Sequence, residues 1–146
     1  MNSEKRKTGL LEDIKINVRI KLAALWATVM FCYIYGDVFS LFVPGRLQNL
    51  MNGKMEMGVT TPAKLLFSSI IVTIPALMVF LSLVLNPKIN RWTNISLGLI
   101  YTLIMLAIMI ASLSPWMAFY IFLAMVEIIN TSTIVWQAFK WPRNEM

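Results

Sequence analysis

Four stretches of this chain, Leu22 to Val43, Leu65 to Leu85, Ile95 to Leu113 and Trp116 to Phe139, contain no lysine, arginine or histidine. Each is close to the roughly 20 apolar residues needed to cross a hydrocarbon layer of about 30 Å. In that solvent every backbone N–H and C=O must be satisfied internally, so such runs become helices. The expectation is an all-α protein: a four-transmembrane-helix bundle forming one domain over residues 22–141, preceded by a basic juxtamembrane segment over residues 1–21. Composition agrees, since 58% hydrophobic content and a mean hydropathy of +0.70 are too apolar for a soluble domain.

The cations set the expected orientation. Lys5, Arg6, Lys7, Lys15, Arg19, Lys21, Lys88, Arg91, Lys140 and Arg143 fall on one side of the four runs, and Arg46, Lys54 and Lys64 on the other. The positive-inside rule then places both termini in the cytoplasm and the long 44–64 connection outside, the layout of a multi-pass protein of the bacterial inner membrane. Basic residues at helix ends are topology signals and not a nucleic-acid footprint, so no nucleic-acid partner is expected. From Ile14 to Lys21 apolar and polar residues alternate as in a strand, but no partner strand follows. This stretch reads as a juxtamembrane flank whose cations face anionic headgroups or simply fix the topology. The first run is too long for a signal-peptide core, and Pro44-Gly45 closes it without a cleavage pattern, so it should stay attached.

Local signals place the turns. Leu47, Leu50 and Met51 suit a short interfacial turn. Thr61-Pro62 reads as N-cap and first helical position of the second span. Pro75 inside that span removes a backbone bond and leaves the Ile71 carbonyl free, to be met by Thr73 or by a neighbouring helix, with a kink. Asn86 to Trp92 reads as a tight basic turn, and Ser112 to Pro115 as a turn so short that the third and fourth spans form an antiparallel hairpin. Gly36 with Ser40, and Ala107 with Ala111, are small-xxx-small pairs suited to close helix contact. Asn94, Gly98, Tyr101 and Met105 form one stripe of the third span.

Glu127 sits near the middle of the last apolar run, followed at helical spacing by Asn130 and Thr131, and Asp37 lies late in the first run. A carboxyl at membrane depth is costly and marks a site by default. Either it is neutralised by a proton, or it faces water, or a cation meets it. Arg46 can fold back over Asp37 through the Pro44-Gly45 turn, which accounts for one acid only. At 1.5 Å per residue Asp37 lies about 9 Å, and Glu127 about 16 Å, from the outer ends of their runs. One water or one ligand group can bridge that difference. Tyr33 shares the Asp37 face and Tyr120 the Glu127 face, while Thr73, Asn94, Tyr101, Asn130 and Thr131 supply hydroxyls and amides. The candidate binding residues are therefore Asp37, Glu127, Tyr33, Asn130, Tyr101, Thr73, Asn94 and Tyr120. An aromatic pocket with buried anionic groups matches an amphipathic cation through charge pairing and cation–π contact. The alternative is that these groups are interhelical glue, each hydrogen bond contributing on the order of 1 kcal/mol.

Other chemistry has little support. There is no histidine, which argues against zinc, haem and the commonest general base, and no metal or cofactor is expected. The single cysteine, Cys32, allows no intrachain disulfide and reads as a small buried hydrophobe. The methionines and tryptophans read as packing and interface anchors. Asn94-Ile95-Ser96 and Asn130-Thr131-Ser132 are chance sequon matches within or beside spans. No phosphate-binding glycine loop, CxxC pair, nucleophile elbow or HExxH is present.

Ala24-Leu25-Trp26, Tyr33-Ile34-Tyr35-Gly36-Asp37, Ile74-Pro75, Asn90-Arg91-Trp92-Thr93-Asn94 and Glu127-Ile128 together resemble an uncharacterised bacterial family of small four-helix membrane proteins, a domain of unknown function, over about residues 15–142. That resemblance implies no activity, and Thr73 stands where an acid of the second span is expected. More distantly, the layout and the placement of Asp37 and Pro75 look like the four-helix fold of emopamil-binding proteins and the sigma-2 receptor. That likeness implies binding of sterols and cationic amphiphiles by intramembrane acids. The sterol isomerases of that fold use histidine, so isomerase activity is not carried over. The expected function is binding or transport of a small amphipathic or cationic molecule in an intramembrane acidic cavity. A structural or homo-oligomer-forming subunit is the alternative, and an isomerase-like enzyme, limited here to carboxylate chemistry, the least supported.

Overall fold

Asn17 starts the first helix by accepting a hydrogen bond from the Arg19 backbone N–H at 2.9 Å, the local signal of an N-cap. The structure, a computed structural model, describes residues 15–55 and 58–142. The cations Lys5, Arg6, Lys7 and Arg143 counted for orientation lie outside the described residues. Helix α1 spans Val18–Ser40, α2 Arg46–Met51, α3 Pro62–Val84, α4 Pro87–Ala111 and α5 Ala118–Phe139. A two-stranded antiparallel hairpin, β1 (Lys54–Met55) with β2 (Gly58–Val59), lies between α2 and α3, and a 3-10 turn, Pro115–Met117, precedes α5. Among the described residues four helices are long and apolar enough to cross a membrane, so this is an all-α, multi-pass membrane protein.

Several boundaries differ from the sequence reading, each for a local reason. The first helix starts at Val18 and not Leu22, because the Asn17 cap outweighs a strand-like alternation that has no partner. It ends at Ser40 instead of Val43, and i→i+3 bonds from Leu41, Phe42 and Val43 wind it down. Gly45, at φ +79°, then caps α2 in a left-handed conformation that costs glycine little. Thr61 caps α3 as expected, accepting from Lys64 N–H at 3.3 Å, with Pro62 next, so that helix starts three residues before Leu65. The largest difference is at residues 86–94. These form the first turns of α4, with Pro87 at its first position, so the turn after α3 shrinks to Leu85 and Asn86. Asn90 and Asn94 are polar yet fully buried within the bundle.

The helices run up, down, up and down. α1 packs against both α3 and α5, and α4 packs against α5, whereas α3 and α4 touch little beyond the end at which they are joined. The end carrying residues 15–17, 85–86 and 140–142 is called here the terminal end, and the opposite one the loop end. Near the terminal end Leu22, Trp26, Met78, Tyr101, Ile134 and Ala138 form the core, with Trp26 and Tyr101 edge to face at 5.9 Å. Arginines close this end. Arg19 donates to the Leu83 carbonyl at 2.8 Å, and Arg91 to those of Ala138 at 3.2 Å and Phe139 at 3.4 Å, satisfying the last carbonyls of α3 and α5.

Candidate functional site

Backbone chemistry at Pro75 shapes the site. The proline removes the N–H that would bond the Ile71 carbonyl. The Tyr101 hydroxyl of α4 donates to that carbonyl at 2.6 Å. Thr73 instead donates to Ser69 at 2.7 Å, so the neighbouring helix supplies the partner. Pro75, Met78 and Ser82 are the buried residues of α3, and all lie at or beyond the proline. From Pro62 to Ile74 no residue of α3 is buried. The loop-end half of α3 thus stands away from α4, and a cavity opens between them.

That cavity holds about 1070 Å³ and is lined by all four long helices, the α2 segment and the hairpin. Tyr33, Asp37, Tyr120 and Glu127, half of the sequence-derived set, line it. Gly36 lies where α1 meets α5: a Cβ there would be in ordinary contact with the Tyr120 ring at 3.4 Å and Leu123 at 3.6 Å. With that register, Tyr33, one turn deeper on α1, stands level with the Ala124 to Glu127 turn of α5. At 1.5 Å per residue Glu127 lies about 14 Å along α5 from Ala118, Ile71 about 14 Å along α3 from Pro62, and Tyr101 about 15 Å from the end of α4. These three elements define the floor.

Glu127 is 4% exposed. Its Oε2 atom and the Tyr33 hydroxyl are buried without a hydrogen-bond partner. Buried polar atoms are nearly always satisfied, so two orphans on residues lining one cavity, from α1 and α5, are a departure that needs a reason. Asp37 is different: it is exposed within the last turn of α1, near the mouth, and shares the lining with Arg46, Lys54 and Lys64. Asp37 therefore has basic neighbours in the lining, whereas no Lys, Arg or His occurs on the helical stretches at the depth of Glu127.

The other candidates are not among the lining residues. Tyr101 braces the floor from below. Asn94 is consumed by a buried network: its Oδ1 accepts from Trp26 Nε1 at 2.8 Å and Ser82 Oγ at 3.5 Å, and its Nδ2 donates to the Asn90 carbonyl at 2.9 Å and Oδ1 at 2.6 Å. Asn90 Nδ2 in turn donates to the Ser82 carbonyl at 2.6 Å. Thr131 links α5 to α4, sharing a 2.7 Å hydrogen bond with Thr102. Asn130 is half-buried one turn past Glu127, outside the lining. Cys32 is buried and free, and it lines the cavity. Lys54, Lys64, Phe67, Ile104 and Ile108 escaped the sequence reading because they come from connections and faces whose convergence depends on how α3 leans.

A family described as a family of unknown function (DUF6326) matches residues 12–146. The chain belongs to this family. No curated protein and no solved structure matches it.

Proposed function

We propose that this member of the family binds a small amphipathic molecule through a cationic, hydrogen-bond-donating group, and passes it between membrane and water at the loop end. The single observation that carries the reading is the pair of orphaned polar atoms, Glu127 Oε2 and Tyr33 Oη, on the wall of a large cavity. An ammonium group reaching the floor satisfies both: it donates to the carboxylate and to the phenol oxygen, replacing solvation lost on burial. The volume is in the range of small-molecule sites, and an apolar belt above the floor takes an alkyl or aromatic body. The open side between α3 and α4 supports access from within the bilayer. The cation distribution supports an outward-facing loop end and cytoplasmic termini. The placement of an acid in α1 and a proline in α3 parallels the emopamil-binding layout and supports the same ligand class.

The test is ligand-induced thermal stabilisation of the purified protein in an uncharged detergent, with dodecylamine as probe. Wild type is expected to gain stability with increasing amine, and Glu127→Gln to lose most of that gain. An equal response from both proteins removes the reading.

A further inference from the structure

Inside a bundle an ionised acid keeps its charge only against a cation or a set of hydrogen-bond donors. Glu127 is 4% exposed, and neither is in place around its side chain among the described residues. From α1, Cys32, Tyr33 and Asp37 share its cavity; α4, packed against α5, brings Tyr101 to the floor, and α5 itself adds Tyr120. None of these carries a positive charge. Nearby hydroxyls are committed elsewhere: Tyr101 donates to the Ile71 carbonyl at 2.6 Å, Thr102 to that of Gly98 at 2.7 Å, and Thr131 to the backbone carbonyl of Glu127 at 2.9 Å. The cations Arg46, Lys54 and Lys64 line the cavity at the loop end, where α5 starts about 14 Å from Glu127 by helix rise. Glu56, in the same connection, lies outside the described residues. At the terminal end Arg19 and Arg91 are bound to the last carbonyls of α3 and α5, the latter about 17 Å beyond Glu127.

We infer that the floor is a proton-for-cation exchange site: in the empty cavity the Glu127 carboxyl holds a proton, and a cationic ligand is taken up by displacing it. The inference rests on the amine reading above for what arrives, and adds what leaves. With no side-chain cation or donor at this depth, a proton is the counter-charge that remains. The step balances. The carboxyl O–H bond breaks, its proton passes to water at the loop end, and the ammonium keeps its own hydrogens, donating from them to the carboxylate and to Tyr33 Oη. The floor is neutral before and after, so neither state buries a net charge in the bilayer. Proton and cation occupy Glu127 in turn, and by linkage each weakens the binding of the other to the same degree. A proton supplied from one side therefore expels a cation taken up from the other.

The test counts protons. Dodecylamine is titrated calorimetrically into the full-length protein in an uncharged detergent at about pH 6, where the amine and a glutamate in water are both ionised. Repeating the titration in buffers of different ionisation enthalpy gives the protons released per amine bound. Wild type is expected to release about one proton per amine, and its affinity to fall about tenfold for each unit of acidification. Glu127→Gln is expected to lose most of the binding, and what remains is expected to be independent of pH. A second readout needs no ligand. A glutamate that is protonated in the fold and ionised in the unfolded chain makes folding take up a proton, so stability falls as pH rises. Between about pH 5 and about pH 6.5 wild type is therefore expected to lose melting temperature relative to Glu127→Gln. Amine binding that depends on Glu127 but releases no proton, with the two melting temperatures moving in parallel across that range, overturns the exchange and leaves the amine reading standing. Failure of wild type to bind dodecylamine removes both. If Glu127→Gln does not fold, the proton count on wild type decides alone.

Discussion

The terminal-end half and the loop-end half of this bundle use the same four helices in opposite ways. In the terminal-end half Trp26, Asn90, Asn94 and Ser82 are fully buried, and each polar group finds a partner on another helix or turn. In the loop-end half the walls separate around about 1070 Å³, and Glu127 is buried with one carboxylate oxygen unsatisfied. Buried polar residues therefore occur in two states in one short chain: locked where their partners are internal, and unpartnered at Glu127 Oε2 and Tyr33 Oη where they are not. Pro75 and Tyr101 mark the border, because α3 is packed on one side of the proline and free on the other.

The sharpest way to break this contrast is truncation of a large side chain on each side. Trp26→Ala in the packed half is expected to cost about 3–5 kcal/mol, enough to abolish cooperative thermal unfolding of the purified protein. Leu123→Ala, on the cavity wall, is expected to cost less than half of that, because its neighbours already border open space. Equal losses would mean that the cavity is closed by packing the structure does not show.

Adding a methyl group asks the reverse question. A Cβ on Gly98 would meet Val135 Cγ2 at 2.7 Å and the Thr131 carbonyl at 3.3 Å, whereas one on Gly36 meets only ordinary contact at 3.4 Å and beyond. Gly98→Ala is expected to destabilise by roughly 1–3 kcal/mol and Gly36→Ala by less than about 0.5 kcal/mol, read as shifts in melting temperature.

Replacing a buried polar group by leucine should change sign across the border. Asn94→Leu strands the Trp26 Nε1–H and the Asn90 Oδ1, with an expected cost of about 1–3 kcal/mol. Glu127→Leu removes an orphan and is expected to leave the empty protein unchanged or up to about 1 kcal/mol more stable, while abolishing its response to dodecylamine. A strongly destabilising Glu127→Leu would make that residue a structural lock like Asn94. A small effect is expected of Tyr101→Phe, about 0.6 kcal/mol for one hydrogen bond in lipid. Its signature is local: faster amide exchange near Ile71, with no change around Trp26.

Much of the fold was legible because bilayer chemistry is severe: four runs without basic residues admit little besides four helices. The Thr61-Pro62 start, the break in bonding at Pro75 and the buried stripe Asn94, Gly98, Tyr101 and Met105 were equally legible, since each follows from local geometry. The boundaries at Val18 and Pro87 were not, because polar residues near helix ends look like flanks until their partners are known. The hairpin at Lys54 to Val59 left no strong local signal. Of the candidate residues, Tyr33, Asp37, Tyr120 and Glu127 line the cavity while Asn94 and Tyr101 are spent on helix contacts. Spacing identifies a shared helix face but not what lies opposite it.

By itself the sequence determined the solvent of this protein, the number of its membrane-spanning helices, and the presence of a carboxyl deep in the last one with no basic residue at its depth on the other spans. Only the tertiary structure decided that the partners of Asn94 are internal and that Glu127 Oε2 has none, and that Arg46, Lys54 and Lys64 come together at one mouth. The physical reason is range. Hydropathy and capping act within a few residues of the chain, whereas satisfying a buried polar atom depends on which side chains the lean of another helix brings within about 3 Å.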